Sequence, residues 1–104
     1  MDEYFIGYRG GRRPETPEAG AEQHARWQQW VTDLGDAVVN PGTPLGKSAF
    51  ITADGVSDEQ RDDAMTGFSI VKAADMGAAL AIAKACPFVE MGTVELARVM
   101  KMGR

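Results

Sequence analysis

The stretch Glu3-Tyr4-Phe5-Ile6-Gly7-Tyr8 is rich in aromatic and β-branched residues and ends at Arg9-Gly10-Gly11, which reads as a strand running into a loop. Alternation along it puts Phe5 on one side and Tyr4, Ile6 and Tyr8 on the other. Both sides are apolar, so the sheet that holds this strand has to be covered on both faces.

One cover comes from helices. Thr16-Pro17-Glu18 opens the first: threonine caps, proline suits the first helical position, and glutamate meets the positive end of the helix dipole. The helix is expected to run to about Leu34 and stop at Gly35. Trp27, Val31 and Leu34 recur at i, i+4 and i+7, Trp30 widens the stripe, and His24 lies at its edge. A second helix is capped by Asp75, carries the stripe Met76, Ala79, Leu80 and Ala83, and is ended by Pro87, which has no N–H to donate.

Between the helices, the pattern predicts a short strand near Ala37–Val39 and a turn in Asn40-Pro41-Gly42-Thr43-Pro44. A third strand is expected over 47–52, then a polar loop from Asp54 to Met65, and a fourth strand over Gly67–Lys72. A last strand is expected over Thr93–Met100. With the 37–39 segment taken as minor, the order is β-α-β-β-α-β, an α+β ferredoxin-like sandwich. Right-handed crossovers place both helices on one face of the sheet. The other face is then bare and apolar, so a second copy is expected to cover it, two sheets closing into a dimeric α+β barrel.

The 104 residues suit one domain, 1–104, and 44% hydrophobic with 25% charged residues excludes a disordered or collagen-like chain. Cys86, the single cysteine, has no partner for an internal bridge and fits a reducing compartment. The net charge is -4, and the one basic cluster is Arg9, Arg12 and Arg13 among glycines, which argues against nucleic acid as a partner. No apolar run approaches ~18 residues, and the start MDEYFIGYRGG is not a secretory signal. A cytoplasmic protein that meets neither membrane nor nucleic acid is expected.

Met65-Thr66-Gly67-Phe68-Ser69-Ile70-Val71-Lys72-Ala73, followed by Asp75 and an alanine-rich helix ending Ala85-Cys86-Pro87, resembles the YCII-related family. Gly92-Thr93-Val94-Glu95-Leu96 and the closing Val99-Met100-Lys101-Met102 extend the likeness. Upstream, Trp27 and Trp30 with Leu34-Gly35, Pro41-Gly42-Thr43-Pro44-Leu45-Gly46 and Ala53-Asp54-Gly55-Val56 are also similar. The resemblance implies a dimeric α+β barrel and no single activity; members have been proposed as enzymes because a histidine and an aspartate face a cleft. Its DGPF-domain relatives carry Asp-Gly-Pro-Phe in the central loop, where this chain has Asp54-Gly55-Val56-Ser57.

His24 is the only histidine, and imidazole is the side chain suited to moving protons near neutral pH. Asp33 is nine residues on, roughly 14 Å along a helix at 1.5 Å per residue, so it does not touch His24. Asp36 and Asp54 come from loops and are the candidate orienting carboxylates. Tyr8 and Arg9 end the first strand, where an arginine can clamp an anionic group. Trp27 and Trp30 either wall a ligand pocket or fill the core. Cys86 at a helix C-terminus reads as structural, because the dipole there raises a thiol pKa. The acidic stretch 58–63 lacks the spacing of a calcium loop, and no Cys/His cluster suggests zinc, so neither metal nor cofactor is expected. Two readings follow. One is a cofactorless enzyme acting on a small cyclic or aromatic molecule, with His24, Asp54 and Asp36 as catalytic residues and Tyr8, Arg9 and Trp27 binding substrate. The other is a non-catalytic dimeric ligand-binding or accessory module.

Overall fold

The structure is a computed structural model and describes residues 1–101; Met102, which the family likeness includes, lies outside them. Strand β1 (Asp2–Arg9) lies in the middle of the sheet. On one side it pairs antiparallel with β5 (Met65–Ala73), from Asp2 opposite Ala73 to Arg9 opposite Met65. On the other it pairs antiparallel with β6 (Thr93–Arg98), from Tyr4 opposite Arg98 to Arg9 opposite Thr93. Strand β2 (Val38–Pro44) completes the sheet beside β5, giving the order β2-β5-β1-β6. With helix α1 (Pro17–Leu34) after β1 and α2 (Met76–Lys84) after β5, this is the ferredoxin-like α+β arrangement.

Both helices start where local chemistry puts them. Thr16 Oγ1 accepts from the Ala19 N–H at 3.0 Å, and Asp75 Oδ1 accepts from the Ala78 N–H at 2.8 Å; each satisfies a donor that the first turn leaves free. Gly35 takes a positive φ of 55° to end α1. Helix α2 ends at Lys84, and Pro87–Glu90 form a separate 3₁₀ turn.

The core lies between the helices and one face of the sheet. Tyr4, Ile6 and Tyr8 of β1 and Val71 and Ala73 of β5 pack there against Trp30, Ala79, Cys86 and Phe88. On the opposite face Phe5 stacks on Phe68, ring centroids 5.6 Å apart, and both stay half-buried with Ile70. The two apolar sides read from the first strand are therefore both present. No helix among the described residues is long and apolar enough to cross a membrane.

The second sheet strand differs from the sequence reading. The segment expected to be a turn, Asn40 to Pro44, belongs to β2 and pairs irregularly with β5, Asn40 opposite Ile70 and Thr43 opposite Phe68. Pro41 and Pro44 are tolerated because an edge strand needs N–H donors on one side only. Asn40 supports the irregularity itself: its Oδ1 accepts from the Gly42 N–H at 2.9 Å and its Nδ2 donates to Thr43 Oγ1 at 3.1 Å. The stretch assigned to 47–52 contributes only β3 (Phe50–Thr52), which pairs with β4 (Gly55–Ser57) in a hairpin off the main sheet. The last strand stops at Arg98, two residues short of the expected end.

Gly92 leads into β6 where three backbone segments meet. A Cβ there would stand 2.6 Å from the Arg9 carbonyl oxygen and 2.9 Å from the Gly11 nitrogen. Gly92→Ala is therefore expected to destabilise the fold by about 1–3 kcal/mol through overpacking. Gly46→Ala, where nothing lies within 4 Å, should stay within about 0.5 kcal/mol of the parent. Urea unfolding midpoints of the two variants check this.

Candidate functional site

A cleft of about 410 Å³ opens between α1 and the sheet, lined by Tyr8, His24, Trp27, Gly42, Thr43, Pro44, Thr66, Gly67 and Phe88. Helix α1 presents His24 and Trp27 on one face because they are three residues apart. Trp27 is half-buried and meets Tyr8 edge-on, centroids 5.2 Å apart. Phe88 approaches Tyr8 from the other side at 5.0 Å. Gly42, at φ 150°, brings the β2 backbone under the indole: a Cβ there would be 3.1 Å from the Trp27 ring. The walls are thus aromatic rings with a backbone floor, a surface suited to a flat apolar body.

The tryptophan pair divides its roles. Trp30 is buried, and its indole N–H donates to the Ile82 carbonyl at 3.1 Å. Trp27 faces the cleft.

Most polar groups in and beneath the cleft are already committed. Ser69 Oγ donates to the Pro41 carbonyl at 3.2 Å and lies 2.6 Å from the Tyr8 hydroxyl. With the serine proton directed to Pro41, Tyr8 is the donor in that short bond. The Cys86 thiol donates in turn to the Tyr8 oxygen at 3.9 Å. Burial pushes the Tyr8 phenol well above its ordinary range, and burial likewise pushes the Cys86 thiol up. Both stay protonated at physiological pH. The Thr43 hydroxyl is engaged with Asn40, and the Thr66 hydroxyl donates to the Tyr8 and Gly10 carbonyls. His24 stands exposed at the rim. Among the described residues neither its imidazole nor the Trp27 indole N–H, which also lines the cleft, has a hydrogen-bond partner.

The structure brings Tyr8, His24 and Trp27 together and places the other expected site residues elsewhere. Arg9 leaves the strand on the opposite side from Tyr8 and pairs with Glu95, with a second bond of 3.3 Å to the Asp63 carbonyl. Asp36 lies in the 3₁₀ turn Gly35–Ala37 beyond the end of α1, and the helix from His24 to Leu34 already spans roughly 15 Å at 1.5 Å per residue. Asp54 lies in the turn of the β3–β4 hairpin, its own N–H bonded to Thr52 Oγ1 at 3.2 Å. The ion pairs among the described residues are Arg9–Glu95, Arg26–Glu90 and Arg98–Asp2, so neither aspartate orients His24 within one chain. No three His, Cys, Asp or Glu side chains among the described residues come together as a metal site.

Phe88, Ser69 and Thr66 were not singled out from sequence. Ser69 carried a signal nonetheless: it alternates with Gly67, Val71 and Ala73 on the inward side of a strand, where a lone hydroxyl has to find a partner.

The fold and this cleft define a ferredoxin-like α+β protein with an aromatic-walled cleft. The chain belongs to the family of the YCII-related domain, whose model matches residues 6–103. Among solved structures it is similar to 5-chloro-2-hydroxyhydroquinone dehydrochlorinase from Burkholderia phenoliruptrix AC1100, in complex with 2,5-dihydroxybenzoquinone. That likeness has a TM-score of 0.59 and 16% identity, covers 94% of this chain and 93% of that one, and concerns the fold. Comparison with curated protein sequences finds no match.

Because the folded state holds the Tyr8 and Cys86 protons more tightly than the unfolded chain, with its ordinary values of 10.0 and 9.0, their contribution to stability is full below about pH 9. It is lost as the pH rises further. Tyr8→Phe should cost about 1 kcal/mol at neutral pH and lose less stability than the parent between pH 8 and pH 11. Denaturant unfolding at the two pH values gives the comparison.

Proposed function

We propose that this chain is a cytoplasmic enzyme of the YCII-related family that binds a small cyclic or aromatic molecule against Tyr8, Trp27 and Phe88 and moves a proton with His24. The observation that carries the reading is the uncommitted imidazole at the rim of a cleft whose hydroxyl groups are spoken for. Aromatic walls hold a flat ring by stacking, and the imidazole beside it accepts or donates a proton in an isomerisation, elimination or hydrolysis. Tyr8 is a wall and not an acid, since its hydroxyl is buried and donates to Ser69. The relative with the same fold acts on a chlorinated hydroxyhydroquinone, which supports a planar ring as the ligand. The buried, unpaired thiol of Cys86 fits a reducing compartment.

NMR titration tests this directly, because a lone histidine gives unambiguous imidazole signals. Against hydroquinone, 2,5-dihydroxybenzoquinone and related phenols, saturable shifts of the His24 resonances are expected with at least one compound. Indifference to all of them would remove His24 from any working pocket. For a substrate so identified, His24→Gln should lower turnover by about 10²–10⁴-fold.

The second reading, a non-catalytic binding or accessory module, is favoured by the lack of any ion pair between His24 and Asp36 or Asp54 among the described residues. It predicts the same saturable shifts with no product formed.

In both readings we infer a homodimer in which a second copy covers the sheet face bearing Phe5, Phe68 and Ile70, closing an α+β barrel. An apolar sheet face left in water is the support for it. Sedimentation equilibrium should give twice the 11.2 kDa chain mass, and Phe68→Lys should reduce it to the monomer.

A further inference from the structure

A second cleft, of about 380 Å³, opens on the other side of His24 and shares His24, Trp27 and Phe88 with the first. Its outer wall is the loop Gly10–Pro14, which presents Arg12 and Arg13. The loop is held in place by its backbone: the Gly10 N–H donates to the Ala64 carbonyl at 2.9 Å and the Arg12 N–H to the Met91 carbonyl at 3.0 Å. Gly11, at φ 110°, lies so close to Phe88 that a Cβ would stand 3.0 Å from the ring. The two arginines therefore project from an anchored backbone pressed against a wall common to both clefts.

Their charges are unspent. The Arg12 guanidinium donates only to the neutral Glu90 carbonyl at 3.3 Å, while the Glu90 carboxylate is taken by Arg26. Arg13 enters none of the ion pairs among the described residues. A neighbouring cleft on the same loop sets Arg12 and Arg13 near Glu15 and Glu90; Arg26 matches Glu90, which leaves one unmatched carboxylate, Glu15, beside two guanidinium groups. In a chain of net charge -4, a locally positive rim beside an apolar trough favours an anionic ligand group. Arg9, the arginine first suspected of that role, is already matched by Glu95.

We propose that the molecule bound carries a carboxylate a few bonds from its ring: the ring lies against Tyr8, Trp27 and Phe88, the tail crosses His24, and Arg12 and Arg13 hold the carboxylate. This rests on the reading of the first cleft as the ring site and adds the substrate class. Guanidinium groups match a planar carboxylate with paired N–H donors. His24 then faces the carbons that join ring to carboxylate, which is where its proton transfer takes place.

The test compares 4-phenylbutanoate with its uncharged isostere 4-phenylbutanamide, titrated against the full chain by tryptophan fluorescence at low ionic strength. The wild type should bind the carboxylate about tenfold more tightly than the amide, the order of magnitude two partly exposed charge pairs supply. Arg12→Gln with Arg13→Gln should bring that ratio near one and leave amide affinity within about twofold. Arg13→Gln alone, which leaves the Arg12 bond to the Glu90 carbonyl intact, should lower the ratio part of the way. Equal binding of the two compounds by the wild type, or a ratio that survives the double substitution, overturns the inference and leaves the ring site standing. Failure of both compounds to bind overturns the ring site and the inference together.

Discussion

The site depends on the short hydrogen bond between Tyr8 and Ser69. Tyr8 belongs to the central strand, Ser69 to its neighbour, and the Ser69 hydroxyl donates to the Pro41 carbonyl on the edge strand. One buried chain of donors thus ties three adjacent strands together at the cleft, and Cys86 closes it from the end of α2. A buried hydroxyl without a partner costs about 1–3 kcal/mol, so each member fixes the position of the next. The Tyr8 ring held in this way is the surface on which Trp27 and Phe88 pack.

Where local chemistry decides, the sequence was readable. Threonine and aspartate caps, a helix-ending glycine and the alternation in the first strand depend on neighbours a few residues away, and the structure has them where they were expected. The segment Asn40 to Pro44 was misread because its residues favour a turn locally. Pairing with β5 then outweighs that preference, and an edge position removes the penalty for its prolines. Residues 50–52 lose their place in the main sheet for the complementary reason: the turn at Asp54 lets them pair with 55–57 at short range.

The site was legible in part for the same reason. His24 and Trp27 were found from helical spacing, and Tyr8 from its place at the end of a strand. That Tyr8 meets Trp27 depends on how α1 lies on the sheet, which no local pattern states. The pleat would have corrected the reading of Arg9: with Tyr4, Ile6 and Tyr8 pointing inward, the next residue points out. It does, and finds Glu95 across the strand pair. Arg12 and Arg13 had no such rule, because they sit in a loop whose path is set by contacts to Ala64 and Met91, far away in sequence.

Strand alternation also joins the two faces of the sheet mechanically. Phe68 lies between Gly67 and Ser69, and Phe5 between Tyr4 and Ile6, so every outward ring is one residue from an inward group that builds the cleft or the core. Gly67 leaves little room for a side chain: a Cβ would stand 3.0 Å from the Thr43 carbonyl and 3.5 Å from the Tyr8 ring. A displacement of Phe68 is therefore felt at the cleft floor through the backbone on either side of it, without a side chain to absorb it. Close-packed interiors transmit such shifts because they have little free volume in which to dissipate them. A second copy packed on the Phe5–Phe68 face would therefore restrain the strands that carry Tyr8 and Ser69 as well.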